Sequence, residues 1–378
     1  MIYLDHAASS FPKPTCTIEA VARCLNETGA NPGRSGHRLS ADAARIIFDT
    51  REAAAALLNV SDSRQVLLLS GATHALNLAI FGLLKKNDHV VVTAMQHNSV
   101  SRPIKAAEQT LSLRISEVLA DAEGRISPAD VRRAIQPDTS LVVANHASNV
   151  TGIAQPIGEI KEAARKVPLL VDAAQSAGVL PIDTADAGID MLAFSGHKSL
   201  LGPQGTGGLY VRPGLALRPL IHGGTGSRSE SDRQPEFLPD ALEAGTPNTP
   251  GIAGLGAGIK FVLENSVATI HAHAMKLFHT FMERARRIPG ISFYGDDIAG
   301  PRTATVSLNL KNRSPSETAR LLERHHGILC RAGLHCAPSA HRVIGTFPHG
   351  TVRISIGFSN TEDEMHAASD ALMQIATS

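Results

Sequence analysis

From about residue 39 to residue 250 the chain alternates long amphipathic segments with short, wholly apolar runs, and this alternation narrows the available folds more than any other feature. Segments such as Leu39 to Leu58 read as helices, with apolar residues returning at the spacing that gathers them on one face. The apolar runs have strand length: Val66 to Leu69, His89 to Thr93, Leu141 to Ala144, Leu169 to Val171, Met191 to Phe194 and Gly208 to Val211. Apolar strands separated by helices predict an α/β fold, with a mostly parallel sheet covered on both faces. In such sheets ligands gather at the carboxyl edge of the strands.

Downstream the pattern changes. A helical stretch from about Ile259 to Arg287 precedes strands of the alternating kind, Thr303 to Leu310 and Thr351 to Gly357, with helices near Ser316 to His325 and Glu362 to Ile375. In the second strand Val352, Ile354 and Ile356 are expected to face a core, with Arg353 and Ser355 pointing the other way. This reads as a smaller α+β domain. The expected division is a large domain over residues 16–255 and a small one built from 1–15 and 256–378, which suits a chain of 378 residues. The Gly/Ser-rich stretch Gly223 to Ser231 is expected to be a mobile loop.

Composition excludes several classes of partner. Lys plus Arg (36) nearly balances Asp plus Glu (35), so neither nucleic acid nor an anionic membrane is implied. No apolar run approaches the roughly 20 residues that cross a bilayer. The opening Met1-Ile2-Tyr3-Leu4-Asp5-His6 lacks the basic-then-apolar order of a secretory signal. Four cysteines (Cys16, Cys24, Cys330, Cys336) are too few for a disulfide scaffold, so a reducing cytoplasm is expected, with each thiol free for chemistry.

The chemistry lies in the polar residues that end the strands. Ser70-Gly71-Ala72-Thr73 joins a strand to an apolar-periodic helix, where backbone amides and the Thr73 hydroxyl can receive an anion. Ser and Thr also cap ordinary helices, so this signal is weak alone. Asp172 follows the strand ending at Val171; a carboxylate there needs a partner, and a pyridine nitrogen kept protonated is one that makes the ring an electron sink. Gln175, three residues on, can reach a ring oxygen. Ser195-Gly196-His197-Lys198 ends another strand and is followed by Gly202-Pro203-Gln204-Gly205-Thr206-Gly207. Ser195 and His197 can donate to a phosphate, and the Lys198 amine can reach a ring aldehyde from the edge that holds Asp172. An imine-forming lysine must first lose its proton, which a desolvated, cation-adjacent site favours. His97, in Met95-Gln96-His97-Asn98-Ser99, can lie flat on a pyridine face, although a lone histidine is more often structural. These are the groups that pyridoxal 5'-phosphate requires.

Together and in this order the motifs resemble the class V aminotransferase family of fold type I pyridoxal-phosphate enzymes, and within it the cysteine desulfurases and selenocysteine lyases. Further stretches carry the resemblance: Tyr3-Leu4-Asp5-His6-Ala7-Ala8, Ala30 to His37, Ser148-Asn149-Val150-Thr151-Gly152, Glu243 to Asn248 and Arg331-Ala332-Gly333-Leu334-His335-Cys336-Ala337. The resemblance implies a seven-stranded sheet in the large domain and a homodimer with shared active sites. It also implies that Ala72 and Thr73 lie at the cofactor and that Asn149 contacts the ring oxygen or substrate carboxylate. Thr246 would reach the phosphate bound by the neighbouring subunit. Arg353, with Arg34, would bind the substrate carboxylate, for which arginine offers a planar two-point match.

Cys336 decides the reaction. A desulfurase needs a thiolate that takes the substrate sulfur as a persulfide, and Arg331, His335 and His341 are the nearby sources of positive charge. A single cysteine can equally be a small buried hydrophobe, but Gly333 and Pro338 around it suggest a loop. Cys330, following Ile328-Leu329, reads as a buried strand residue. The cysteines and histidines here lack paired-ligand spacing, and no metal is expected. Two departures from the family pattern, Leu334-His335 in place of two histidines and an insertion from His341 to Gly350, bear on substrate preference and on the sulfur-acceptor protein. The expected reaction is L-cysteine to L-alanine with a persulfide on Cys336, with Lys198 moving the Cα proton and His97 handling the thiol proton. The rivals are another class V reaction, such as selenocysteine lysis, transamination or epimerisation, and a non-catalytic scaffold, which would need neither Lys198 nor Asp172.

Overall fold

The computed structural model describes residues 1–33, 35–295 and 299–378. The chain opens with β1 (Ile2–Tyr3), α1 (Thr15–Glu27), α2 (Arg38–Leu57), β2 (Val66–Leu69), α3 (Ala72–Leu83), β3 (His89–Thr93), α4 (Asn98–Leu111) and β4 (Arg114–Val118). It continues through α5 (Pro128–Ala134), β5 (Thr139–Asn145), α6 (Ile157–Ala164), β6 (Leu169–Asp172), β7 (Met191–Ser195), β8 (Gly207–Val211) and α7 (Thr249–Asn265). The last stretch holds α8 (Val267–Ala285), β9 (Ile291–Tyr294), β10 (Thr305–Leu310), α9 (Pro315–His326) and β11 (Ile328–Leu329). It closes with β12 (Arg331–Gly333), α10 (Pro338–Val343), β13 (Thr351–Ser355) and α11 (Glu362–Thr377).

Seven strands form the main sheet in the order β2-β8-β7-β6-β5-β3-β4, parallel except at β8, which runs against both its neighbours. The α/β class read from the sequence is therefore the one observed. The strand that apolar runs did not reveal is β4, whose Arg114-Ile115-Ser116-Glu117-Val118 sits at the sheet edge, where a strand with one neighbour is partly exposed and tolerates polar residues. One core fills the face under α2, α6 and α7, with Ala54, Ile160, Ile252 and Ile259 against Val142, Val171 and Leu192. Another fills the face under α3 and α4, with Leu76, Ile80, Val100 and Ile104 against Leu141, Leu170 and Met191.

A second sheet, β12-β13-β10-β9, is antiparallel and packs its own core of Val306, Leu308, Val352 and Ile354 against α8 and α11. β1 pairs in parallel with β11, so the segment around Leu4 joins this body although it stands far away in sequence.

Three expectations change in detail. The helix expected from Ile259 to Arg287 is two helices, α7 and α8. The chain turns at Ser266, in the left-handed region at φ 61°, and its side chain accepts a bond from the Thr269 amide to start α8. β10 begins at Thr305 because the Thr303 amide bonds the Gly152 carbonyl at 2.8 Å, outside the sheet. β13 ends at Ser355, since the Gly357 amide turns to Asn360 Oδ1 at 2.8 Å. Arg353 and Ser355 do point away from the small core, but into the interior, and Arg353 is only 1% exposed.

Candidate active site

The site forms where strands of the main sheet end in polar residues. Asp172 closes β6, and its Oδ1 accepts the Ala174 amide at 2.9 Å. Burial raises the carboxyl pKa, opposed by that bond and by the Lys198 charge. Lys198 lies in the turn after β7; burial pushes its amine down to about 8, against the pull of Asp172 and with further lowering by Arg353 and Arg331. An amine tuned in this way is neutral above about pH 8, well below the ordinary lysine range, and so becomes available for nucleophilic or basic work.

His97 caps α4. Its Nδ1 accepts the Ser99 amide at 3.0 Å and lies 2.8 Å from Ser99 Oγ. A nitrogen that accepts a backbone N–H carries no proton, so the neutral ring has its proton on Nε2. Burial, then Lys198, Arg331 and Arg353, lower its pKa to about 4, so the ring is uncharged. α3 begins at Ala72 behind Gly71 at φ 149°, and no side chain caps it, leaving its first amides free for an anion.

One cavity of about 210 Å³ gathers the expected residues Ala72, Thr73, His97, Asn149, Asp172, Gln175, Ser195, His197, Lys198 and Arg353. Gln175 Nε2 donates to the Ala7 carbonyl at 2.9 Å, and Asn149 Nδ2 to the His335 carbonyl at 2.8 Å. Arg353 Nη1 donates to the Asn149 carbonyl at 3.0 Å and Nη2 to Asp5 Oδ1 at 2.6 Å. The strand register sets Arg353 directly opposite Arg331, and both arginines line the cavity. A strap from Asp5 to Lys13 crosses behind it: Ser10 Oγ donates to the Lys198 carbonyl at 2.9 Å, and Lys13 Nζ to the His197 carbonyl at 2.7 Å.

Two expected residues stand outside the cavity lining. Thr246 is exposed in a separate groove, where its Oγ1 accepts from Asn31 Nδ2 at 3.5 Å. Cys336 is exposed in the loop between β12 and α10, held by the bond from the Asn98 amide to its carbonyl at 2.7 Å. Arg34 lies outside the described residues.

The surroundings of Cys336 differ from expectation in one respect. His335 and His341 are both buried, and burial lowers their pKa values to about 2 and about 4, so neither is a cation. The positive charge at the thiol comes from Arg331, whose Nη2 is 3.6 Å from Sγ. Cys330 is half-buried instead of fully buried, and desolvation pushes its thiol up to about 12. The cavity also includes Ala7, Met95 and Ser99, which lie in the motifs named above without an assigned role, and Asn145, which lies in none of them. A signal for Asn145 was present, since like Asp172 it is a polar residue ending an apolar strand.

The residues fit pyridoxal phosphate on the structure's own terms. His197 Nδ1 is buried without a hydrogen-bond partner among the described residues, on the same cavity wall as the uncapped start of α3. A buried carboxyl and a lysine of lowered pKa complete the set. Fold and cavity together define a class: α/β enzymes organised around a lysine that can bond an aldehyde cofactor.

Comparison with known proteins narrows this. Residues 2–367 match the family model described as aminotransferase class-V, and the chain belongs to that family. A probable cysteine desulfurase of Methanothermobacter thermautotrophicus is 36% identical over 99% of this chain and 94% of its own length. One from Aeropyrum pernix is 34% identical, covering 100% of this chain and 95% of its own. Among solved structures, an apo cysteine desulfurase from Thermococcus onnurineus NA1 superposes with a TM-score of 0.93 at 29% identity. That match covers 100% of this chain and 94% of the other.

Proposed function

We propose that the chain is a pyridoxal-phosphate-dependent cysteine desulfurase converting L-cysteine to L-alanine. The observation that carries this is the juxtaposition of Lys198, with its amine brought down to about 8, and an exposed cysteine loop whose neighbours Arg331 and His335 line the same cavity.

When bound, pyridoxal phosphate supplies an electron sink for the substrate Cα electrons. Asp172 would hold the ring nitrogen protonated, Gln175 the ring oxygen and His97 the ring face. Ala72, Thr73, Ser195 and His197 would bind the phosphate, joined by Thr246 of a neighbouring subunit. Arg353, with Arg34, receives the substrate carboxylate, and Asn149 contacts that carboxylate or the ring oxygen. Lys198 Nζ takes the Cα proton. His97 acts through Nε2, which bears the proton in the neutral ring, so it offers a proton to the substrate sulfur before it can take one. Cys336 Sγ attacks the substrate sulfur; the S–S bond forms as the Cβ–S bond breaks, the electron pair left on Cβ is protonated, and Lys198 Nζ returns a proton to Cα to give alanine. The persulfide then passes to an acceptor protein. In this reading residues 16–255 form the cofactor domain, and 1–15 with 256–378 the domain that brings Arg353 and Cys336. No described helix is long and apolar enough to cross a membrane. The free thiols suit the cytoplasm.

The direct test is product analysis. Wild-type enzyme given L-cysteine should release alanine in step with sulfur, and alkylation should trap one extra sulfur atom on the Cys336 peptide. Turnover of cysteine without alanine would sink the proposal.

The shared-site expectation has its own test. Thr246 is exposed in the single chain and away from its own cavity, as a residue serving a partner would be. In a C2 dimer, Lys198→Ala and Thr246→Ala chains mixed as heterodimers should recover activity that neither homodimer has, because one of the two composite sites is intact. Activity no greater than that of the two parents would count against sharing.

A further inference from the structure

Asn145 ends β5 and stands in register with Asp172 on β6, so the two side chains share one face at the carboxyl edge of the sheet. It is 4% exposed and lines the cavity. Both its amide atoms, Nδ2 and Oδ1, are buried with no hydrogen-bond partner among the described residues. A buried primary amide with neither donor nor acceptor satisfied is rare, since each unmade bond leaves the full desolvation cost in place. The four residues before it show what this buried part of β5 otherwise holds: Leu141, Val142, Val143 and Ala144 are all fully buried and apolar. An apolar side chain would fit this position without that cost, unless something that enters the cavity uses the amide.

We infer that Asn145 is a further ligand-contacting residue of this cavity, its amide meeting the bound cofactor beside Asp172. This rests on the pyridoxal-phosphate reading above. The amide is neutral, so it leaves the charge balance of Asp172 and Lys198 alone and acts by hydrogen bonding.

Asn145→Leu, close in shape and lacking both polar atoms, separates ligand contact from packing. Two measurements are made: the thermal midpoint of the apo-protein, and the dissociation constant for pyridoxal phosphate read from visible absorbance after dialysis. In the apo-protein the variant should melt at the same temperature or higher, because an orphaned amide has been removed. Its cofactor affinity should fall roughly tenfold, about 1.4 kcal/mol, the size of one lost hydrogen-bonded contact. An affinity within roughly threefold of wild type would overturn the inference. A weaker affinity accompanied by a lower apo midpoint would overturn it too, assigning Asn145 to packing. Should Asn145→Leu fail to fold, Asn145→Ser is judged by the same pair of readings. Wild-type protein that takes up no pyridoxal phosphate would defeat the underlying reading, an outcome distinct from failure at Asn145.

Discussion

Lys198→Ala should turn over L-cysteine at least about a thousandfold more slowly than wild type, the scale of a lost general base, and should hold no covalently attached cofactor. The fold should survive, because Lys198 lies in a turn beyond β7 and the cores on both faces of the sheet are built without it. The pH dependence gives a second reading. The lysine pKa is lowered to about 8, so its amine is protonated below that pH and neutral above it. Attachment of pyridoxal phosphate to wild-type apo-protein should therefore accelerate as pH rises through about 8, instead of near the ordinary lysine value. Stopped-flow absorbance at a series of pH values would follow this. A borohydride-reducible bond in the alanine variant would place the attachment on another lysine.

Cys336→Ser should release alanine from L-cysteine at less than about one hundredth of the wild-type rate, because the serine hydroxyl stays protonated where a thiolate is the attacking form. Cofactor binding and the absorbance change on adding L-cysteine should remain, as neither uses Sγ. Selenocysteine offers a contrast. Selenium leaves carbon more readily than sulfur, so its release should survive in part without a covalent acceptor. The other thiols should carry no extra sulfur: Cys24 is buried, Cys16 lies on α1, and Cys330 is held protonated with its pKa near about 12. Peptide mass spectrometry after alkylation distinguishes the four. Wild-type alanine release by Cys336→Ser would refute the sulfur-transfer step while leaving the cofactor assignment standing.

The alternation of apolar runs and helices revealed the main sheet because its inner strands are covered on both faces and tolerate little polarity. The same physics exposed Asp172 and the Ser195–Lys198 turn, since polar groups at the ends of such strands are costly without a purpose. β4 escaped because an edge strand can be Arg-Ile-Ser-Glu-Val and still pair. The break at Ser266 was invisible because a serine inside an apolar-periodic helix is unremarkable until its backbone is seen to turn left-handed. The histidines near Cys336 were misjudged for a different reason. Sequence proximity counts them as charges, whereas burial decides whether they carry one. Asn145 carries the same signal as Asp172, a polar residue ending an apolar strand, but no motif surrounds it; burial of both amide atoms without a partner among the described residues is what marks it out.

The strap from Asp5 to Lys13 gives the enzyme a timetable. During synthesis Asp5 leaves the ribosome long before Arg353, its ion-pair partner 348 positions later, and β1 has no edge to join until β11 exists. The main sheet can form meanwhile, and with it the turn that carries Lys198, yet the donors behind that turn come from a segment whose own anchor is still unmade. A nascent chain of this kind holds Lys198 before it holds Arg353, the residue proposed above to receive the substrate carboxylate. Completion of the cavity is thereby tied to one of the last strands translated, and a chain cut short before β13 would contain Lys198 and lack Arg353.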